Sequence, residues 1–237
     1  MADDVKGAEL LAQQIIDDIA DAGWPIGTIL GTEPELISRY GVSRNTFREA
    51  VRILEHLDAA RMREGRGGGL AVTQPRSDAV THAAAIYLRY EGVGVRELYG
   101  ARATLEGEIV ELAVARMDPA AEQRLRDAIA QERAVDGSEG PHHTRALHMT
   151  LADIAGNRPL SLFLDTLISL SDEYSRPEIA RPDGDLEAAV EASHRAHAAI
   201  VKAVLARDPA TARRRMSAHL AAVDRWMPAS GTITTKR

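Results

Sequence analysis

A glycine-rich segment near the end of the first third of the chain limits the fold more than any other feature. The segment "EGRGGG" (64–69) has four glycines in the five positions from 65 to 69, and short runs containing apolar residues flank it. Because glycine tolerates positive φ and close backbone approach, this pattern predicts a β-hairpin with its tip at the glycines. Pro75 ends the unit. After Val80, β-branched runs are scarce and alanine is frequent, which favours helix.

Two short helices are expected before the hairpin. In "TEPELISRYG", Thr32 is a candidate N-cap and Gly41 suits the helix end, while the preceding "WPIGTIL" reads as a turn. Ser43 then caps a second helix, and "YGV" forms the short turn of a helix-turn-helix. At about 100° per residue, the second helix has an apolar arc and a polar arc opposite it. The apolar arc holds Phe47, Ala50, Val51 and Leu54, and the polar arc holds Arg44, Asn45, Arg48 and Arg52.

Charge is segregated along the chain. The formal net charge is −6, but seven arginines and four acids between residues 39 and 66 give 7 − 4 = +3, which leaves −9 for the remainder. Arginine can bind guanine or phosphate and asparagine can read adenine, so the polar arc suits the major groove of DNA. Arg66 and Gly67 on the hairpin would then lie along the backbone or minor groove. The alternative is an ordinary surface helix with solvated arginines, but the order turn, capped helix and hairpin favours DNA binding.

Other classes of protein fit less well. The hairpin tip lacks the phosphate-loop pattern, and Leu70 stands where a dinucleotide motif needs its third glycine. The chain has no cysteine, which excludes disulfides and Cys-ligated zinc. The acidic N-terminus does not resemble a secretory signal, and no run of about 18 apolar residues predicts a membrane span. We therefore expect a cytoplasmic protein with no membrane partner.

Residues 24–72 resemble the N-terminal winged helix-turn-helix of GntR-type bacterial transcription regulators. The matching pieces are Pro25–Gly27, Glu33/Glu35–Leu36, Gly41–Arg44, Arg48–Ala50 and Gly65–Gly69. Carried over by position, DNA contacts fall on Ser43, Arg44, Asn45, Thr46 and Arg48, with 65–67 as the wing tip. One departure is Pro34, where many members have an arginine, so a DNA contact at that position is not expected.

The rest of the chain resembles the all-helical FCD effector domain of the FadR subgroup. Its supporting segments are "ELYGARATLEGEIVELA", "LHMTLADIAGNRPL" and "AHAAIVKAVLARDPATARRRMSAHL". The expected fold class is mainly α, a winged helix-turn-helix followed by a helical bundle. Expected boundaries are 1–77 for DNA binding, 78–228 for effector binding and dimerisation, and 229–237 for a polar tail. The predicted helices span 79–90, 95–116, 119–134, 141–155, 159–175, 185–206 and 209–227.

The resemblance implies a divalent-metal site of one aspartate and three histidines. By position, His148, His197 and His219 match the histidines, but Thr144 occupies the aspartate position four residues before the first of them. Imidazoles suit zinc or a similar divalent ion, and loss of the carboxylate should weaken binding. His142, His143 or His194 could substitute. The alternative is that these histidines are polar core or surface residues and bind no metal.

Two further residues are candidates for the effector site. Arg102 lies four residues before Glu106, so the two form either an intrahelical ion pair or a site in which Arg102 clamps a ligand carboxylate. Asn157 is either a turn residue at a helix end or part of a pocket wall.

Together these features predict a ligand-responsive DNA-binding transcription regulator, not an enzyme. Its partners would be double-stranded DNA, bound by a homodimer at a palindromic operator, and a small organic acid with or without a divalent metal. One alternative keeps the DNA role but has a metal-free acyl-CoA or lipidic effector. A remote alternative is a helical metallohydrolase, but the chain has no H-E-x-x-H motif.

Overall fold

The computed structural model describes residues 2–134, 144–179 and 186–226. These ranges contain ten helices and one two-stranded sheet. The chain divides into two compact units, 1–79 and 80–237. The expected fold class, a winged helix-turn-helix followed by a helical region, is confirmed.

The first unit contains three helices and a hairpin. They are α1 (Ala2–Asp21), α2 (Glu33–Tyr40), α3 (Arg44–His56), β1 (Ala60–Arg63) and β2 (Gly69–Val72). The hairpin is antiparallel, with Ala60 opposite Val72 and Arg63 opposite Gly69, as the glycine-rich tip predicted.

Local signals explain the helix ends. The backbone N–H of Thr32 donates to Glu35 Oε2 at 2.8 Å, which forms a capping interaction at the start of α2. Gly41 ends α2 in the left-handed region at φ 64°. Ser43 caps α3 by accepting a hydrogen bond from the Thr46 N–H. The predicted apolar arc of α3 is buried and packs with side chains of α1, α2 and the hairpin.

The segment predicted as a turn before α2 also pairs with the sheet. The Gly27 N–H donates to Val72 O at 2.9 Å, and the Leu30 N–H donates to Leu70 O at 2.8 Å. A Cβ on Gly69, whose φ is 152°, would lie 2.4 Å from Gly31 O. Glycine is therefore required there by a contact distant in sequence, and β2 is covered on both edges.

The second unit consists of helices in its described part. They are α4 (Asp78–Tyr90), which begins at the end of the first unit, α5 (Val95–Ala115), α6 (Pro119–Ala134), α7 (Thr144–Ala155), α8 (Arg158–Ile179), α9 (Leu186–Leu205) and α10 (Pro209–Trp226). Most ends lie within one or two residues of those predicted. α8 continues four residues beyond its predicted end, through Pro177. The start predicted for α7, residues 141–143, and the tail 229–237 lie outside the described residues.

α5 is the central helix of this unit and packs against α7, α8 and α10. Its buried side chains include Leu98, Ile109 and Val110, and also the charged residues Arg102 and Glu106. Burial of charge is costly unless the charged groups have polar partners, so Arg102 and Glu106 each require such a partner inside the unit. In the described ranges, no helix is long and apolar enough to cross a membrane.

Candidate DNA-binding surface and buried histidine cluster

The polar arc of α3 faces solvent. The side chains of Arg44, Arg48 and Arg52 are 71%, 58% and 71% exposed, and Asn45 is also exposed. Because the opposite arc is buried in the core, the helix presents these groups from a fixed support. The start of a helix also favours an anion such as phosphate.

Ser43 and Thr46 have local partners at the start of α3. The Thr46 N–H donates to Ser43 Oγ at 3.1 Å, and the two hydroxyls are 2.8 Å apart. Thr46 is half-buried, whereas Ser43 is exposed. The two hydroxyls therefore serve the helix cap, and Ser43 is the more accessible to a phosphate.

Glu33 contacts two exposed arginines of α3, Arg44 and Arg48, and was not predicted as a functional residue. Its Oε1 accepts from Arg44 Nε at 2.8 Å and from Arg48 Nε at 3.2 Å. Arg52 pairs instead with Glu49 on its own helix at 2.5 Å. The Glu49–Arg52 pair lies within one helix, whereas the Glu33 contacts depend on how α2 packs beside α3.

The hairpin tip exposes Arg66 and Gly67. Gly65 and Gly67 have φ values of 93° and 81°, which only glycine adopts without strain. Neither glycine has an atom within 4 Å of an added Cβ, so the tip is open on that side.

Three histidines from three helices meet inside the second unit. His148 (α7), His197 (α9) and His219 (α10) are buried, and one ring nitrogen from each lies within 4.8 Å of the others. The Nε2 atoms of His197 and His219 are 3.1 Å apart. Two nitrogen lone pairs at this distance repel each other unless a proton or a cation lies between them.

Two buried carboxylates hold the outer nitrogens of this cluster. Glu106 Oε2 contacts His148 Nδ1, and both oxygens of Glu132 lie 2.7 and 2.9 Å from His197 Nδ1. An N–H at Nδ1 that donates to a carboxylate leaves Nε2 as a lone-pair donor directed away from it. Glu106 was predicted only as a partner of Arg102, and Glu132 was not predicted. Glu132 follows the apolar residues Leu125 and Ala128 at helical spacing, and this pattern in the sequence indicates a charged residue on a buried helical face.

Burial favours the neutral form of two of the three imidazoles. Burial lowers the pKa of His197, and it lowers the pKa of His219 well below its ordinary value. For Glu106, burial raises the pKa, but the adjacent charges of His148 and Arg102 outweigh it and the pKa is lowered. Three imidazoles with carboxylates behind two of them form a donor set that fits a divalent cation.

The two candidate effector-site residues, Arg102 and Asn157, have different surroundings. Arg102 lies inside the unit, where its Nε donates to Glu106 Oε1 at 3.0 Å and its guanidinium carbon is 5.2 Å from the Tyr99 ring centroid. Arg102 thus forms an intrahelical ion pair with Glu106, and it is also a buried cation near the cluster. The Asn157 side chain accepts a hydrogen bond from the Leu160 N–H and caps the start of α8.

Of the three histidines considered as replacements for the aspartate, His194 lies within the described residues. His194 Nε2 lies 3.6 Å from Glu132 Oε1, at the outer side of the cluster. His142 and His143 lie outside the described residues, as does the side chain of Thr144. The carboxylates that approach the histidines are therefore Glu106 and Glu132, which contact Nδ1 atoms.

Comparison with known families agrees with this arrangement. Residues 8–69 match the bacterial regulatory proteins of the gntR family, and residues 97–222 match the FCD domain. The chain belongs to the GntR family and carries an FCD domain. This GntR-family chain is therefore a ligand-responsive DNA-binding transcription regulator. Members of these families are not enzymes, and the metallohydrolase alternative is set aside.

Individual relatives support the same conclusion. The chain is 26% identical over 224 residues to the HTH-type transcriptional repressor NanR of Cronobacter sakazakii, covering 92% of this chain and 84% of that protein. It is 28% identical over 200 residues to the HTH-type transcriptional regulator LutR of Bacillus subtilis, covering 84% and 90%. The structure of Streptococcus agalactiae GntR has a TM-score of 0.66 and 23% identity, covering 92% of this chain and 99% of that one, and it shows the same fold.

Proposed function

We propose that this regulator binds a palindromic operator as a homodimer, with α3 of each copy in a major groove. The observation that carries the proposal is that α3 buries its apolar arc and exposes Arg44, Arg48 and Arg52 beside a glycine-tipped hairpin. Asn45 and Ser43 add base-reading and phosphate-binding groups on the same helix start. Two-fold symmetry would match the two half-sites of a palindrome.

We further propose that the second unit binds a divalent metal together with a small organic acid. His148, His197 and His219 would hold the metal, and Glu106 and Glu132 would orient two of these imidazoles. The metal supplies Lewis-acid attraction for a carboxylate. Arg102 contributes a buried positive charge at the same place, although it shares that charge with Glu106. Zinc is the first metal to test because imidazole suits it.

Dimerisation is supported by apolar side chains exposed on two helices of the second unit. Tyr90, Tyr87 and Ile86 of α4 are 84%, 63% and 57% exposed, and Phe163 of α8 is 54% exposed. Ala85 of α4, Leu98 of α5 and Leu170 of α8 form one small buried apolar cluster, so α4 and α8 lie close to the same part of α5. Exposed large apolar groups on adjoining helices are typical of a surface that a second copy covers.

A metal-free acyl-CoA or lipidic effector is the second candidate for the ligand. The buried ring nitrogens and carboxylates count against it, because a lipid chain would leave such polar groups without new partners. Metal analysis of the purified protein separates the two possibilities. Near-stoichiometric metal supports the acid site. Metal-free protein that releases DNA with acyl-CoA, and not with any of a panel of small acids, supports the lipidic effector.

The DNA part is tested by selecting bound sequences with the purified protein and then measuring variants on the selected site. Arg44→Ala and Arg48→Ala should each weaken specific binding by about 1–3 kcal/mol if the arginine reads a base. Arg195→Ala, which removes an exposed arginine of the second unit, is the matched control. Unchanged operator affinity in both α3 variants would contradict the proposed contacts.

A further inference from the structure

Both candidate base-reading arginines share one carboxylate. Glu33 is the first residue of α2, and its Oε1 lies 2.8 Å from Arg44 Nε and 3.2 Å from Arg48 Nε. The Glu33 side chain is 22% exposed, whereas the arginines are 71% and 58% exposed. The carboxylate thus lies behind the arginines and the guanidiniums extend past it into solvent.

The contacts leave the arginines able to bind DNA. Both pairs are made through Nε, and an arginine carries four more N–H groups on its two terminal nitrogens. A bidentate contact with guanine O6 and N7 can use those groups. Glu33 can therefore remain bound to both arginines while they contact base edges.

Glu33 itself is held firmly. Its backbone lies between Thr32, whose N–H and hydroxyl both bond Glu35, and Pro34, whose ring fixes φ in the first turn. The hydrogen bond from Arg44 lowers the pKa of Glu33 despite the opposing effect of partial burial. The start of a helix also favours a negative charge. The carboxylate is consequently ionised at neutral pH on a rigid support.

We propose that Glu33 is a positioning residue that sets the sequence selectivity of DNA binding. It fixes Arg44 and Arg48 in one arrangement suited to base edges, and its negative charge opposes their collapse onto phosphates at other sequences. Loosely held arginines would bind any duplex through its backbone, which carries no sequence information. This inference rests on the proposed operator-binding role of α3.

The test is Glu33→Gln, measured on the selected operator and on a duplex of scrambled sequence. Affinity for the scrambled duplex should rise, because one negative charge is lost and two arginines are freed. Affinity for the operator should fall, so that the ratio of the two drops about tenfold or more, as expected when one or more bidentate base contacts are disordered. The salt dependence on the scrambled duplex should steepen by about one phosphate contact per freed arginine.

Glu49→Gln is the matched control. It removes the same charge from the same surface and frees Arg52, but leaves the pairing of Arg44 and Arg48 intact. Its affinity ratio should stay within about twofold of wild type, since a charge change alone acts similarly on both duplexes. In an Arg44→Ala/Arg48→Ala background, Glu33→Gln should not change the ratio further.

Thermal unfolding of Glu33→Gln checks that the first unit is intact. A well-folded Glu33→Gln protein whose ratio and salt dependence match those of Glu49→Gln would overturn the inference and leave the operator-binding role standing. A wild-type protein that selects no sequence would overturn the operator-binding role, and this inference with it.

Discussion

Replacing Glu132 by glutamine should weaken metal binding without unfolding the chain. Glu132 is 3% exposed and places both of its oxygens within 2.9 Å of His197 Nδ1. Glutamine keeps the shape but removes the negative charge and replaces one acceptor oxygen with a donor. Loss of such a partner behind a metal-binding histidine costs about 10- to 100-fold in affinity.

The size of the effect follows from binding linkage. With free zinc at about 100 times the wild-type dissociation constant, binding adds about 2.7 kcal/mol to the free energy of unfolding. At the same zinc concentration, a tenfold weaker site adds about 1.4 kcal/mol and a 100-fold weaker site about 0.4 kcal/mol. For a unit of this size, each kcal/mol changes Tm by about 2–4 °C. The zinc-induced rise in Tm should therefore be about 5–11 °C for the wild type and about 1–6 °C for Glu132→Gln.

The assay is the zinc-induced change in Tm, with each variant compared to its own chelator-treated form. This comparison cancels any effect of the substitution on the metal-free protein. Glu108→Gln, at an exposed carboxylate of α5, is the matched control and should keep the wild-type shift. A full zinc shift in Glu132→Gln would refute the assignment of Glu132 as the residue that orients His197.

Three further predictions concern stability and binding. In urea unfolding, Gly69→Ala should destabilise the first unit by at least ~2 kcal/mol, because the new Cβ would meet Gly31 O at a positive φ. Gly100→Ala is the control: it adds a Cβ in open space on α5 and should stabilise the chain by up to ~1 kcal/mol. In metal-free protein the pKa values of His197 and His219 are lowered, so below pH about 6.5 the unfolded chain binds more protons than the folded chain. The free energy of unfolding should therefore fall as pH drops below that value, by up to about 1.4 kcal/mol per pH unit per histidine. A flat pH profile in denaturant titrations would contradict this. Operator affinity should fall steeply with salt, with a slope near 0.9 per phosphate contact, and a flat response would remove the phosphate contacts from the proposal.

The helix-turn-helix could be predicted closely because its signals are local. The cap at Ser43, the αL residue Gly41 and the glycine tip each act within a few residues, and the apolar period of α3 marks its buried arc. The pairing of 27–31 with β2 and the contact of Glu33 with two arginines could not be predicted in the same way. Both depend on where separate elements pack, and no local pattern encodes that position.

The histidine cluster shows the same division between local and long-range information. The positions of the three histidines came from family resemblance, whereas their meeting depends on the packing of α7, α9 and α10. Glu132 is 65 residues from His197, and its role is visible in sequence only as a charged residue on a buried helical face. Asn157 was predicted as a turn residue or a pocket residue, and its side chain bonds the backbone N–H three residues along the chain.

The absence of a carboxylate at Thr144 changes how the proposed metal and effector sites depend on each other. Glu106 and Glu132 each contact an imidazole of the proposed metal site, so two carboxylates would still lie near a bound divalent ion. Both carboxylates contact Nδ1 atoms of the histidines, so we propose that neither replaces the aspartate as a metal ligand. An anionic effector can then supply that ligand itself, and by linkage each of the two should strengthen binding of the other. Zinc affinity measured with and without a saturating acid should therefore differ in the wild type. Restoring the carboxylate by Thr144→Asp should raise zinc affinity and reduce that difference. Equal coupling in both proteins would show that the effector does not use the aspartate position.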